Sequence, residues 1–313
     1  MDWSKRIGRR LKLRDLHILF VVAQAGSMTK AARQLSVSNP VVSKAVADLE
    51  YTLGVRLLDR GPQGVEPTIY GRALLDRGLV AFDELGQAVK DIEFLADPAS
   101  GSVRFGASIA VATTFGAAVV DRLFRRHPRM SIHVTAGDPS STYRALEERR
   151  VDLGIVRLYA PVSERNINAE ILYEESWAIV VSADNPWARR RKVTLADLMD
   201  QPWALPPPDS LTGGLIAKAF QAHGLGYPRA AVFTNTLPVR RALLASGRIL
   251  TALPELTLKF PEPDPRIKAL PIALPMTRGP IGIVTLKNRT ISPSATLFME
   301  NAREVARSLA KTQ

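Results

Sequence analysis

The sequence predicts an α/β protein with a small helical N-terminal domain, a long connecting helix and a two-lobed α/β region. Three observations support this fold class. The first 60 residues contain three short apolar helix patterns, residues 69–97 contain one long amphipathic pattern, and from residue 103 strand patterns alternate with helix patterns. A chain of 313 residues is long enough for two or three domains, each with its own core.

The N-terminal residues predict a helix-turn-helix motif. An apolar stripe runs through residues 13–25, and Gly26 ends this helix because glycine readily adopts the left-handed conformation at a helix C-terminus. Ser27 is placed to cap a short second helix over 28–35, and Ser38 to cap a third. A short turn between two such helices is the arrangement found in many DNA-binding proteins.

The third helix has two different faces. Val42, Val46 and Leu49 recur at i, i+4 and i+7, so we expect them to pack on the other two helices. Short polar or basic side chains on the opposite face suit base edges and phosphates. The outward-facing residues are Asn39, Val41, Ser43, Lys44 and Ala47.

A two-stranded wing is predicted after the third helix. Residues 55–60 and 65–67 have strand patterns, and Gly61-Pro62-Gln63-Gly64 between them is a turn signal. Arg56 and Arg60 would then lie near a phosphate path, where contacts position a protein without specifying sequence. The alternative is a small basic helical domain that binds another protein.

The charge distribution favours a polyanionic partner. The formal net charge is +12, and residues 1–60 hold 11 Lys/Arg against 5 Asp/Glu. Residues 61–100 hold 3 against 7, and the remainder 28 against 18. The alternative is a uniform preference for arginine throughout the chain.

Several classes of function are disfavoured. There is no cysteine, no apolar run reaches the roughly 18 residues of a membrane span, and no secretory signal is recognisable. The four histidines show no metal-ligand spacing, and no nucleophile elbow or nucleotide-binding glycine loop is present. We therefore expect a cytoplasmic protein that is not an enzyme, with no cofactor, metal site, catalytic residue or membrane partner. An enzyme and an exported solute-binding protein remain the alternatives.

The connecting helix carries an apolar seam. Thr68 can cap it, and Leu75, Phe82 and Val89 are spaced by seven residues, with Leu79, Leu85 and Ile92 between them. The seam predicts pairing with a second copy of the chain, packing on the chain's own wing, or both. Residues 98–102 then break the helix pattern and predict a hinge.

The C-terminal region predicts a ligand cleft. The βαβαβ order from residue 103 predicts a parallel sheet with helices on both faces, and a second series of strands and helices predicts a second lobe. Ligands of such folds bind beyond the carboxyl ends of strands. Polar residues at those positions are candidates for ligand contact, the alternative for each being a helix cap or an ion pair: Ser108, Thr113, Thr114, Asp138, Ser140 and Arg157.

An ordered set of residues resembles one protein family. The segments Gly26 to Leu35, Ser38 to Lys44 and Leu53 to Arg60, with Thr68 and Gly71, resemble the LysR-type transcriptional regulators, as do Val151 to Ile155 and Ala252 to Pro254 more loosely. The family usually has Gln at Asn39 and often Phe at Leu58. The resemblance implies a winged helix-turn-helix domain over 1–68, a dimerising linker helix over 69–97 and a hinge over 98–102. The rest, 103–313, would be a type 2 periplasmic-binding-protein-like effector domain, with lobe 1 over 103–172 and 275–313 and lobe 2 over 173–274.

The resemblance and the residue patterns together yield two sets of expected contacts. For DNA they are Ser27, Thr29, Lys30, Arg33, Ser38, Asn39, Val41, Ser43, Lys44, Arg56 and Arg60. For the effector, Pro206 and Thr236 on the second lobe join the six residues above. The basic extension Lys5, Arg6, Arg9, Arg10 and Lys12 is either a DNA-contacting arm or a tail.

The function expected from the sequence is sequence-specific promoter binding that a small-molecule effector modulates. Arg157 favours an organic acid or another anion because its planar fork suits a carboxylate or phosphate, while a neutral sugar remains open. The partners expected are double-stranded promoter DNA, the effector and the chain itself, as a homodimer or homotetramer. A regulator that needs no effector is the alternative.

Overall fold

A computed structural model describes residues 10–61, 64–97, 99–159, 166–259 and 263–310. The chain separates into two compact units, one ending at Gly86 and one beginning at Gln87. Lys5, Arg6 and Arg9 of the basic extension lie outside the described residues, and Arg10 and Lys12 are exposed. In the part of the chain that is described, no helix is long and apolar enough to cross a membrane.

The N-terminal unit is a winged helix-turn-helix, as the sequence predicts. Its elements are α1 (Leu13–Ala25), α2 (Met28–Gln34), α3 (Asn39–Leu53), β1 (Leu58–Gly61), β2 (Gly64–Pro67) and the start of α4 (Ile69–Ala96). The strands β1 and β2 pair antiparallel. The three helices surround a core formed by Leu16, Leu19, Val22, Ala31, Val42, Val46, Leu49 and Leu57, all nearly inaccessible to solvent.

The residues at the helix ends cap or terminate the helices as the sequence predicts, with one exception. Gly26 ends α1 in the left-handed conformation (φ 62°), and the Ser27 hydroxyl accepts from the backbone N–H of Lys30. Thr68 caps α4 by accepting from the backbone N–H of Gly71. The predicted cap at Ser38 is wrong in one respect: Ser38 occupies the N-cap position of α3, but its side chain makes no capping hydrogen bond.

The wing docks on the turn between α1 and α2. The backbone N–H of Val65 donates to the carbonyl of Gly26 at 2.9 Å. Gly64 has a positive φ of 123°, and a Cβ added there would lie 2.5 Å from the Gly26 oxygen. At the other end of the wing, Glu50 Oε1 accepts from the backbone N–H groups of Leu57 and Leu58. These bonds fix the hairpin relative to α3.

The apolar seam of α4 has two parts. Leu75 and Phe82 pack against the helix-turn-helix core, and the Phe82 ring meets Phe20 edge to face at 5.7 Å between centroids. Further along, the large apolar side chains are 48–79% exposed: Leu85, Val89, Ile92 and Leu95. The first part of the seam therefore packs on the helix-turn-helix core, with its ring contact on α1, and the second part is uncovered in the single chain. Packing on the wing itself stays a prediction.

The C-terminal unit contains two five-stranded sheets. The first has the order β4-β3-β5-β12-β6 and is made of β3 (Ser100–Ser108), β4 (Arg129–Gly137), β5 (Leu153–Arg157), β6 (Ile167–Glu175) and β12 (Gly279–Leu286). The second has the order β11-β7-β10-β8-β9 and is made of β7 (Trp177–Ser182), β8 (Trp203–Leu205), β9 (Ala230–Phe233), β10 (Leu250–Pro254) and β11 (Ile267–Ala269).

The sheets are mixed, which corrects the expectation of a parallel sheet. Strands β3, β4 and β5 run parallel as predicted, but β12 pairs antiparallel with both β5 and β6. In the second sheet β7 pairs antiparallel with β10 and β11. The chain passes between the sheets at residues 175–177, called here the first crossover, and at residues 270–278, the second crossover.

Helices flank both sheets. A continuous helical segment consists of α5 (Ile109–Val111), a π-helical turn (Ala112–Gly116) and α6 (Ala117–Arg126); α7 (Pro139–Glu147) and α11 (Pro293–Ala310) also belong with the first sheet. The second sheet has α8 (Leu211–Ala222), α9 (Leu237–Leu244) and α10 (Leu256–Lys259), with 3-10 turns at Pro186–Arg189 and Ala196–Leu198.

Two further differences concern the predicted boundaries. Strand β3 begins at Ser100, inside the segment 98–102 that the sequence predicts as a hinge. Strands β6 and β11 have no counterpart in the sequence prediction, and β6 extends to Glu175, beyond the lobe boundary expected at 172. The domain limits inferred from the sequence thus remain predictions.

Candidate functional site

The first candidate site is the outer face of α3. Val42, Val46 and Leu49 are fully buried, whereas Asn39 and Lys44 are exposed. Pro40 in the first turn of α3 costs no hydrogen bond there. The helix therefore presents its polar N-terminal half to solvent.

The remaining predicted DNA-contacting residues surround this face. Thr29 lies next to α3, since its hydroxyl accepts from the Asn39 side-chain amide at 3.4 Å. Ser27, Val41 and Ser43 are partly buried. The other predicted contacts are exposed: Thr29, Lys30, Arg33, Ser38, Arg56 and Arg60.

The second candidate site is a cleft of about 410 Å³ in the C-terminal unit, lined from both sheets. Four helical segments begin at its wall, with Ser108, Asp138, Ser210 and Thr236 in their N-cap positions. Free backbone N–H groups and the helix dipole favour negative charge at a helix N-terminus. The N-termini of α7, α8 and α9 therefore contribute positive partial charge to the cleft wall, where the Asp138 carboxylate caps α7.

Arg240 adds a buried charge to the second-sheet side. Its residue exposure is 3%, and its Nη1 donates to the carbonyl of Ala252 at 2.8 Å. Burial lowers the pKa of Arg240 to about 10, so the guanidinium remains charged at neutral pH. Among the described residues no carboxylate pairs with it, and its Nε has no hydrogen-bond partner.

Arg157 and Glu175 lie on the first-sheet side of the cleft. Arg157 ends β5 and donates to the carbonyls of Glu175 and Thr277. Burial raises the pKa of Glu175 to about 7, although Arg157 and the backbone N–H of Leu256 favour its ionised form. Trp177, whose indole N–H has no partner among the described residues, lies 5.9 Å from the Arg240 guanidinium by its ring centroid.

Five of the eight expected effector contacts line the cleft: Ser108, Asp138, Ser140, Arg157 and Thr236. Thr113, Thr114 and Pro206 lie outside its lining. The helical segment begins at Ile109, so both threonine hydroxyls bond back to carbonyls of that segment, Ile109 and Ala110. Pro206 instead accepts a hydrogen bond from the Tyr227 hydroxyl.

Sequence reasoning missed several lining residues, of which Arg240 is the most informative. Leu237, Arg240 and Leu244 are the buried residues of α9 and follow the i, i+3, i+7 spacing of one helix face. A charged residue on an otherwise apolar face was the available signal. The other missed polar or aromatic residues are Glu175, Trp177, Ser210, Thr212 and Asn235.

Comparison with known proteins identifies both units. Residues 13–72 match the model of the bacterial regulatory helix-turn-helix protein, lysR family, and residues 96–307 match the LysR substrate binding domain. The chain is 29% identical to the HTH-type transcriptional regulator GbpR of Azospirillum brasilense, covering 91% of this chain and 84% of that protein. It is 26% identical to the HTH-type transcriptional regulator PcaQ of Agrobacterium fabrum, covering 96% of each.

Solved structures share the fold. The full-length LysR-family regulator CbnR complexed with its target DNA has a TM-score of 0.66 at 21% identity, covering 94% of this chain and 100% of that one. ArgP from Mycobacterium tuberculosis has a TM-score of 0.68 at 21% identity, covering 95% and 97%. The two family matches together span most of the sequence, and the chain belongs to the LysR family of DNA-binding transcriptional regulators with an effector-binding domain.

Proposed function

We propose that the chain reads promoter DNA with the outer face of α3 and flanks it with the wing. The exposed Asn39 and Lys44 and the partly buried Ser43 are short or flexible polar groups at the N-terminal half of α3, where a recognition helix contacts base edges. Arg56 and Arg60 contact the phosphates of the DNA backbone. The protein acts in the cytoplasm.

The effector we propose is a small organic anion with an apolar body. Arg240 carries this proposal, because a buried arginine without a carboxylate partner is costly until an anion compensates it. The three helix N-termini favour the same sign of charge. The apolar lining suits the rest of the ligand: Ile109, Leu211, Leu237, Pro254 and Ile281.

Thermal unfolding in the presence of acetate, succinate, benzoate and phosphate tests this proposal. A ligand that binds only the folded state raises its stability, by about 2.7 kcal/mol at a concentration of 100 Kd. We expect at least one organic carboxylate to raise Tm of the wild type by several degrees, and Arg240→Met to abolish the shift.

Arg241 offers a matched control on the same helix. It bonds Thr257 and lies 3.6 Å from Asp264, and it does not line the cleft. Arg241→Met should keep the wild-type response. If Arg240→Met responds to every anion as the wild type does, the cleft is not an anion site.

We further propose that α4 pairs two copies of the chain. Leu85, Val89 and Ile92 follow an i, i+4, i+7 pattern, and all three are exposed in the single chain. A second α4 is the natural cover for such a stripe. A dimer would place two copies of α3 on the two half-sites of a promoter.

A further inference from the structure

Arg157 contacts both segments that connect the two sheets of the C-terminal unit. Its Nη1 donates to the carbonyl of Glu175 in the first crossover at 3.2 Å, and its Nη2 donates to the carbonyl of Thr277 in the second. The side chain is 7% exposed, so water does not readily replace these bonds. One guanidinium thus bridges the two crossovers.

The second crossover is shaped to receive this guanidinium. A Cβ added to Gly279 would lie 2.9 Å from Arg157 Nη2, so only glycine leaves the space without a shift. Beside the guanidinium, the backbone N–H of Trp177 donates to the Thr277 hydroxyl at 3.3 Å. The two crossovers are therefore joined by buried hydrogen bonds at one point.

The same guanidinium also faces the cleft. Arg157 is among the lining residues, and the two carbonyl bonds use two of its five N–H donors. Three donors remain for a carboxylate or phosphate at this wall, and such an anion would draw the guanidinium away from the carbonyls, because charge-assisted hydrogen bonds are stronger than bonds to neutral carbonyls. Occupying the cleft and releasing a crossover would then be one event.

We propose that Arg157 is the positioning residue of the inter-lobe hinge. In the fastening half of the proposal, Arg157 holds the two crossovers together. In the coupling half, it links anion binding to the angle between the two sheets. The coupling half rests on the proposed anionic effector, whereas the fastening half needs no ligand. A ligand shifts such an equilibrium only through a difference in affinity between the two arrangements.

Distances between the lobes test the fastening half without any ligand. The chain has no cysteine, so Glu147→Cys on α7 and Lys218→Cys on α8, both exposed, give one spin-label pair per chain. Pulsed electron spin resonance on the full-length chain, diluted with unlabelled chain, reports the inter-lobe distance distribution. We expect Arg157→Met to broaden it by about twofold or more, because hinge motion is no longer restrained.

Two further variants separate fastening from general damage. Gly279→Ala keeps the charge but displaces the guanidinium, and it should also broaden the distribution. Arg278→Met removes the exposed ion pair of 3.0 Å between the second crossover and Glu174 at the end of β6, and should leave the width unchanged. A wild-type width in both Arg157→Met and Gly279→Ala, or equal broadening in Arg278→Met, overturns the proposal.

The coupling half is tested with benzoate and succinate as probes. A probe that raises the wild-type Tm should shift the wild-type distance peak and leave the Arg157→Met distribution unchanged. A probe that raises Tm but moves neither peak contradicts the coupling while leaving the anion site intact. A chain that no probe stabilises refutes the proposed effector class, and the ligand-free widths still decide the fastening.

Discussion

Buried charges divide into two kinds in this chain. Asp152 is compensated by three cations: its carboxylate accepts from Lys90 Nζ at 3.1 Å, from Arg104 Nη2 at 2.9 Å and from Arg289 Nη2 at 3.1 Å. Arg157 and Arg240 bond only carbonyls among the described residues. The first arrangement stabilises the unit by itself, and the second agrees with the proposed anionic effector, most directly at Arg240, where burial lowers the pKa and no carboxylate of the described chain opposes that shift.

Asp152 should contribute strongly to acid stability. Burial opposes its ionisation, but the hydrogen bonds from Arg104 and the charge of Lys90 outweigh this and lower the pKa of Asp152 from 3.8 to about 2. A depressed acid contributes stability that is complete above pH 4 and lost as pH falls through 2. The shift corresponds to about 2 kcal/mol.

Asp152→Asn tests this arrangement. At pH 7 it should lower the free energy of unfolding by about 3 kcal/mol, because the buried Arg289 and the partly buried Lys90 and Arg104 lose their anionic partner. The variant should also lose less stability than the wild type between pH 4 and 2. Urea unfolding followed by tryptophan fluorescence measures this, since Trp177, Trp187 and Trp203 lie in the same unit. Glu148→Gln, which breaks an exposed pair with Arg150, is the control; an equal loss there would contradict the account.

At the residue scale, the sequence predicted residues that line the cleft where a strand end marked them. Arg157 is the last residue of the fully buried strand β5, so the rule for parallel sheets located it. Thr113 and Thr114 do not line the cleft, because their helical segment begins at the Ser108 cap, and a short apolar run does not reveal that boundary. Arg240 was missed because it lies within a helix, away from any strand end.

At the scale of elements, the wing depends on a close backbone approach. Gly64→Ala should destabilise the helix-turn-helix by about 2 kcal/mol, because the residue has a positive φ and its Cβ would strike the Gly26 carbonyl. Hydrogen exchange of α1 to α3 should then accelerate about 30-fold. Gly61→Ala on the same hairpin meets nothing within 4 Å and should change little. Equal protection in both variants would show that the close approach is unimportant.

The linker helix makes a prediction about assembly. Ile92→Glu places a charge in the exposed stripe of α4 and should reduce the molar mass of the assembly by half or more, because a buried unpaired charge opposes helix pairing. Sedimentation velocity measures the mass. Glu93→Ala, a change of similar size at an exposed position of the same helix, should retain the wild-type mass. An unchanged mass in Ile92→Glu would refute pairing through α4.

Helices were predicted more completely than strand pairing. The alternating elements from β3 to β5 carry apolar patterns, and their parallel pairing follows from the crossover helices. Strands β6 and β11 lie at sheet edges, where most of their side chains are not buried, so they lack such a pattern. The chain reaches β12 from the other lobe, and β12 then pairs antiparallel in the first sheet. Local periodicity predicts a strand there but not which strands it pairs with.

At the scale of the whole molecule, two surfaces of different chemistry occupy two units. The polar face of α3 lies in the unit that ends at Gly86, and the cleft with its buried arginines lies in the unit that begins at Gln87. The basic charge of the first 60 residues agrees with a phosphate backbone as partner. Because the two surfaces lie in different units, an effect of ligand binding on DNA binding would need a mechanical route, and the proposed hinge at Arg157 would supply one.

The most direct test of the central claim measures DNA affinity against salt concentration for wild type, Lys44→Ala and Lys218→Ala. The DNA is a promoter fragment recovered by genome-wide binding, compared with a scrambled fragment. We predict that Lys44→Ala weakens promoter binding and makes the salt slope shallower by about 1, because one phosphate is no longer neutralised, while Lys218→Ala on the exposed face of α8 matches wild type. Identical curves for Lys44→Ala and wild type, or equal wild-type affinity for promoter and scrambled DNA at every salt concentration, would contradict the assignment of α3 as the reading surface.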